Sequence, residues 1–218
     1  MSRVTVVEDD VALNQTYAHA VARLLVRPLL GTWVRPNHLT LLRMGIGLGS
    51  CGLLATGIDV CEIWSGILWV STCLLDRADG ELARIGDMRS ELGKVLDFYS
   101  DLLLDSAWFL ATGFALRHSG LHGAAIPLGV LTALSMLAAI GMAELYERQS
   151  APGVKAFYGL KRFHPDDALF LLPLFIWSHM LAPILVAAGI FTPAIAVVLT
   201  LRYLAKRKRN RSSVHNSP

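Results

Sequence analysis

The sequence predicts an all-α integral membrane protein, with six transmembrane helices preceded by an amphipathic helix in the interface. Composition is the first observation behind this reading. Of 218 residues, 54% are hydrophobic and only 17% charged, against roughly 25% charged in a soluble domain. The mean hydropathy is +0.49, which excludes an ordinary soluble enzyme of this length. The second observation is a series of apolar runs near the ~20 residues that a bilayer-crossing helix needs. The third is the placement of Lys and Arg, which collect in cytoplasmic loops.

Residues 1–35 form the expected N-terminal cytoplasmic segment. The opening residues are acidic around Glu8, Asp9 and Asp10 and hold no signal-like apolar core, so no cleavage is expected. Leu13, Tyr17, Val21, Leu24 and Leu25 then recur at helical spacing, with Gln15, His19, Arg23 and Arg27 as a polar stripe. That pattern predicts a helix lying on the inner membrane surface. Residues 36–205 hold the crossings. Four runs are Leu39–Ile58, Ile63–Leu75, Leu102–Leu116 and Gly123–Ala143. The second helix is expected to continue past Asp76 to the interface, and the third to begin near Glu91. From Ala168 to Leu201 there is no Asp, Glu, Lys or Arg, a run long enough for two crossings. The expected turn lies between Ala182 and Pro193. Residues 206–218 are a basic cytoplasmic tail suited to anionic headgroups.

Six crossings with both ends inside leave all but Arg117 of the 20 basic residues on the cytoplasmic side. Reading Ala168–Leu201 as one crossing would put Lys206, Arg207, Lys208, Arg209 and Arg211 outside. The expected location is therefore multi-pass in a bacterial or archaeal inner (plasma) membrane. Cys51, Cys61 and Cys73 show no metal spacing and read as small buried hydrophobes.

One stretch breaks the apolar background: Asp76, Asp79, Gly80, Ala83 and Arg84, then Gly93, Asp97 and Asp101. Carboxylates at membrane depth are costly and mark function. Asp76 and Asp79 are three apart, and Gly93, Asp97 and Asp101 are four apart, so each set shares one helix face. On consecutive antiparallel helices the two faces converge near the cytoplasmic ends. Four carboxylates cannot stay ionised together without cations, and oxygen ligands without His or Cys suit Mg²⁺ or Mn²⁺. Arg84 is able to pair bidentately with a phosphate. The small residues Gly80, Ala83 and Gly93 suit either helix packing or a ligand close to the backbone.

The string Asp-x2-Asp-Gly-x2-Ala-Arg-x8-Gly-x3-Asp-x3-Asp resembles the signature of the CDP-alcohol phosphotransferase family, without one departure. Pro36, Asn37, His38, Leu39 and Thr40 are similar to a short family element that borders the nucleotide. The resemblance implies that Asp76, Asp79, Asp97 and Asp101 hold two Mg²⁺ or Mn²⁺ ions. Asp101 would also be the general base, and Asn37, Thr40, Gly80, Ala83, Arg84 and Gly93 would bind CDP. It implies release of CMP as a substituted phosphate passes from a CDP-alcohol, foremost CDP-diacylglycerol, to an acceptor hydroxyl. A soluble CDP-linked donor is the alternative within the family. The acceptor is an alcohol or polyol, and Asp105, Lys155, Lys161 and Arg162 are candidates to bind it and any phosphate it carries. Membrane lipids and a second copy of the chain are further expected partners, and nucleic acid is not.

Two other classes fit less well. Asp97 and Asp101 suit the Asp-x3-Asp element of an intramembrane prenyltransferase, but its other acidic element is missing. A cation or proton transporter would place carboxylates at the midplane rather than at the inner helix ends. Asp166 and Asp167 read as caps of the fifth helix.

Overall fold

The computed structural model describes residues 17–121, 123–150 and 169–215, with side chains from residue 21 to residue 208 within them. Seven α-helices account for nearly all of these, and the described residues hold no strand. They are α1 (Tyr17–Val26), α2 (Pro36–Ala55), α3 (Asp59–Ile85), α4 (Glu91–Ala115), α5 (Ala125–Arg148), α6 (Leu172–Trp177) and α7 (Leu181–His215).

Local chemistry sets each boundary. Arg35 is extended, as the residue before a proline must be, and Pro36 opens α2 where no backbone donor is needed. Gly57, at φ +67°, turns the chain into α3, and a Cβ there would lie 2.7 Å from the Ala115 carbonyl oxygen. Only glycine meets both demands. Asp59 and Glu62 complement the N-terminal dipole of α3. Ser90 caps α4 by accepting from the Gly93 N–H at 3.0 Å. As expected, α3 runs beyond Asp76 to Ile85 and α4 begins at Glu91.

The turn expected between Ala182 and Pro193 is instead at 178–180, where His179 takes φ +56°. Pro183 stands in the first turn of α7, where it removes no intrahelical bond. Pro193 lies inside the continuous helix. Helix-internal proline is tolerated in membranes because neighbouring groups re-satisfy the freed backbone. The proline pair therefore marks the start and the interior of one helix, and the break precedes both.

Helix α2 packs against both α3 and α4, whose backbones scarcely approach one another. Trp69 of α3 and Trp108 of α4 still meet, with ring centroids 6.1 Å apart, in a core shared with Leu54, Leu104, Ile176 and Leu185. Helix α5 packs on α4 and α7, and α6 packs on α3. Helix α1 lies on α3, burying Ala22 and Val26 against Ala78 and Leu82. Val21, Leu24 and Leu25 of the expected apolar stripe are exposed.

Among the described residues, three segments are long and apolar enough to cross a membrane: Pro36–Ala55, Ala125–Arg148 and Leu181–Lys208. In the last, only 22% of the apolar window is buried in the protein. Ile190, Phe191, Val197 and Leu201 among others face outward. So much exposed apolar surface requires lipid, and the fold is that of a helical membrane protein.

Candidate active site

The site forms at one end of the bundle, from the start of α2, the end of α3 and the start of α4. Asp76, Asp97 and Asp101 each offer a carboxylate oxygen, all within 4.8 Å of one another. The i, i+3 and i, i+4 spacings legible in the sequence put these groups on facing sides of α3 and α4. Asp97 and Asp101 are about half exposed, with side-chain exposures of 48% and 51%.

Asp79 is outside this convergence. It is buried, and its Oδ2 accepts from the Thr40 hydroxyl at 2.8 Å. Thr40 is itself buried behind Asp79, linking α2 to α3. Asp79 nevertheless lines, with Asp76, Asp97, Asp101 and Asp105, a cavity of about 400 Å³ between the helices. Ile140 of α5 and Leu169 give that cavity an apolar side.

Gly80 opens onto the cavity, and a Cβ there would meet nothing within 4 Å among the described residues. Gly93 serves a different contact. A Cβ there would stand 3.0 Å from Ser90 Oγ and 3.1 Å from Asn37 Oδ1, so its small size lets α2 approach the α4 N-terminus. Ala83 is half-buried on α3. Arg84 lines the cavity, with Nη2 donating to Glu81 Oε2 at 2.6 Å. Lys155, Lys161, Arg162, Asp166 and Asp167 lie outside the described residues.

Sequence reasoning gave no role to two residues at the centre of the site. Arg43 of α2 is 1% exposed, and its guanidinium lies among the acidic groups. Nη1 contacts Asp76 Oδ1 and lies 3.4 Å from Asp97 Oδ1, while Nη2 donates to Asp101 Oδ1 at 2.7 Å and also to Ser100 Oγ. The available signal was that Arg43 is the single charge in the run Leu39–Ile58. Glu81 is buried, and besides Arg84 it meets Arg23 of α1 at 3.7 Å. It thereby ties the N-terminal helix to the acidic motif.

Counted over the described residues, the cavity remains acidic after its internal pairs are included. Arg43, Arg77 and Arg84 face Asp76, Asp79, Asp97, Asp101, Asp105 and Glu81. Arg77 pairs with Asp76 at 2.5 Å and stacks on Phe170. A surplus of hard carboxylate oxygens without His or Cys fits a divalent Mg²⁺- or Mn²⁺-type ion. Asp76, Asp97 and Asp101 are the residues placed to share one.

The family model for CDP-alcohol phosphatidyltransferases matches residues 33–201. The chain belongs to this family. It is therefore a phosphotransferase of phospholipid biosynthesis that uses a CDP-alcohol. Its family is generally dependent on divalent metal, in keeping with the acidic triad. Among curated proteins, none matches the chain significantly. The matched span takes in α2 through most of α7 and every cavity residue named above.

Proposed function

We propose that this transferase moves a phosphatidyl group from CDP-diacylglycerol to the hydroxyl of an alcohol or polyol and releases CMP. The observation that carries the reading is the convergence of Asp76, Asp97 and Asp101 on a 400 Å³ acidic cavity at one end of a membrane bundle. Ile140 and Leu169 in the cavity wall support a lipid donor whose chains remain in the bilayer. The phosphatidyl transfer in the family's own description supports it too.

Asp76, Asp79, Asp97 and Asp101 would hold two Mg²⁺ or Mn²⁺ ions. When bound, these neutralise charge on the pyrophosphate oxygens and favour departure of CMP. The chain's own groups do the rest. Gly80 and Ala83 admit the nucleotide close to α3, and Asn37, Thr40 and Gly93 fix the helix ends that border it. Arg84 leaves Glu81 to clamp a phosphate with two parallel hydrogen bonds. Asp101 accepts the proton of the attacking hydroxyl as its oxygen bonds to the phosphorus carrying the lipid alcohol. Asp105, which lines the same cavity, orients the acceptor. Lys155, Lys161 and Arg162 would neutralise an acceptor phosphate.

Six crossings are the architecture we infer, with the acidic cavity on the cytoplasmic side. Helices α3 and α4 have 27 and 25 residues, about 40 Å each at 1.5 Å per residue, and so are long enough to cross ~30 Å of hydrocarbon. Apart from Asp59 and Glu62 at the far end of α3, their charges gather at the site end. Residues 1–35 would be the cytoplasmic segment with the interfacial helix, 36–205 the catalytic membrane domain and 206–218 the basic tail. The exposed Val21, Leu24 and Leu25 supply a lipid-facing side for α1.

The test is CMP release in nanodiscs across a panel of CDP-linked donors and hydroxyl acceptors, with Mg²⁺, Mn²⁺ or excess chelator. Turnover is expected with CDP-diacylglycerol, to vanish with chelator and to return with the ion. Full turnover in chelator would overturn the metal assignment, and turnover confined to soluble CDP-alcohols would overturn the donor.

A further inference from the structure

We propose that Arg43 is a built-in placeholder for the metal: a side-chain cation that holds Asp76, Asp97 and Asp101 together without ions and competes with ions for them. The inference rests on the metal reading of this triad and concerns how the site is kept before loading.

Three observations carry it. First, Arg43 is 1% exposed and projects from α2, the helix that packs between α3 and α4. Its guanidinium therefore enters the cluster from behind, opposite the half-exposed side of Asp97 and Asp101. Second, its two terminal nitrogens reach the same three carboxylates that converge as potential ligands: contact with Asp76, 3.4 Å to Asp97 and 2.7 Å to Asp101. Third, Arg43 Nε is buried without a hydrogen-bond partner among the described residues. A guanidinium placed for structure alone would be expected to satisfy that donor. Here the fork is committed to the acidic cluster and one nitrogen is left unsatisfied.

The geometry makes guanidinium and ion rivals. Oxygens on one Mg²⁺-like ion at 2.0–2.1 Å lie at most about 4.2 Å apart. The triad's oxygens already lie within 4.8 Å of one another, with the guanidinium nitrogens among them. Loading an ion thus requires the carboxylates to turn lone pairs from the guanidinium nitrogens to the metal. The fixed positive charge also repels a divalent cation a few ångströms away, an interaction strong in a partly desolvated site. Without Arg43, three carboxylates at this spacing would repel one another and α3 and α4 would splay at the site end. Arg43 therefore weakens metal binding while keeping the empty site close to its working shape. It is a positioning residue, with no contact to the reacting atoms required.

Mn²⁺ binding to the full chain in nanodiscs, followed by electron paramagnetic resonance without substrate, tests this beside thermal unfolding. Arg43→Gln is expected to bind Mn²⁺ at least about tenfold more tightly than the unmodified chain, because a repelling charge has gone. Its Tm without metal should fall, and the rise in Tm on adding Mn²⁺ should be larger. Arg43→Lys keeps the charge but loses the fork, and its affinity should fall between the two. Equal or weaker Mn²⁺ binding by folded Arg43→Gln overturns the proposal. If Arg43→Gln folds neither with nor without Mn²⁺, Arg43→Lys decides, and an affinity no higher than that of the unmodified chain overturns the proposal. Absence of Mn²⁺ binding in the unmodified chain would instead sink the metal reading itself, and this inference with it.

Discussion

Asp97 and Asp101 differ by one helical turn and share Arg43, yet they are expected to respond differently to loss of charge. Asp101→Asn should retain donor affinity and lose about 10²–10⁴ in transfer rate, the usual effect of removing a positioned acid–base group. Asp97→Asn should lose metal and nucleotide affinity together with rate. Donor affinity measured beside single-turnover rates, with Mn²⁺ saturating, separates the two. If Asp101→Asn loses affinity as badly as Asp97→Asn and higher metal restores its turnover, Asp101 is a ligand only. The pairings refine two other expectations at this scale. Thr40 stands behind Asp79 as its hydrogen-bond donor, and Arg84 rests on Glu81. A lone motif shows which residues carry charge, but not which partner each uses before substrate binds.

Helix packing explains how these side chains meet. Without a hydrophobic force between helices in lipid, close contact depends on small residues. Gly113 of α4 and Gly129 of α5 supply it. A Cβ on Gly129 would stand 2.9 Å from Gly113 Cα and 3.0 Å from the Phe109 carbonyl oxygen, both backbone atoms. Gly129→Ala must therefore separate two helices and should cost about 1–3 kcal/mol, the usual range for overpacking. Gly141→Ala on the same helix meets nothing within 4 Å among the described residues and should be neutral or slightly stabilising. Thermal unfolding in detergent compares them, and equal Tm values would show that the α4–α5 contact is not tight. Arg117 has a related structural role. It donates to the carbonyls of Ala55, Thr56 and Phe114 at 2.7–2.9 Å. The one basic residue assigned to the outside thus caps the C-terminal ends of α2 and α4.

For the whole molecule, the number of crossings fixes which side of the membrane holds the basic tail. Helix α7 has 35 residues, about 53 Å at 1.5 Å per residue, and so extends well beyond ~30 Å of hydrocarbon. Its basic end after Arg202 should lie in the cytoplasm. Within that end, Lys206 stacks on Tyr146, with its Nζ 4.4 Å from the ring centroid. In a background free of Cys51, Cys61 and Cys73, a cysteine replacing Arg209 should resist an impermeant thiol reagent in intact cells. It should react once the membrane is opened. Labelling in intact cells would overturn six crossings with the tail inside.

The sequence by itself determined the helical class, most element boundaries and the acidic motif. Hydropathy, proline and glycine placement, and i, i+4 spacing are local properties of a helix. Even locally, one boundary was misplaced: the turn expected between Ala182 and Pro193 lies at 178–180, and Pro193 sits inside a membrane helix that accommodates it. What only the tertiary structure decided is who stands between the acidic faces. Spacing along α3 and α4 predicts that their aspartates approach one another. It does not reveal that α2 packs against both and inserts Arg43 among Asp76, Asp97 and Asp101. Nor does it reveal that Glu81 joins the site to α1. Those pairings span tens of residues and depend on which helices neighbour which, a choice made by side-chain packing across the bundle rather than by any periodicity in the chain.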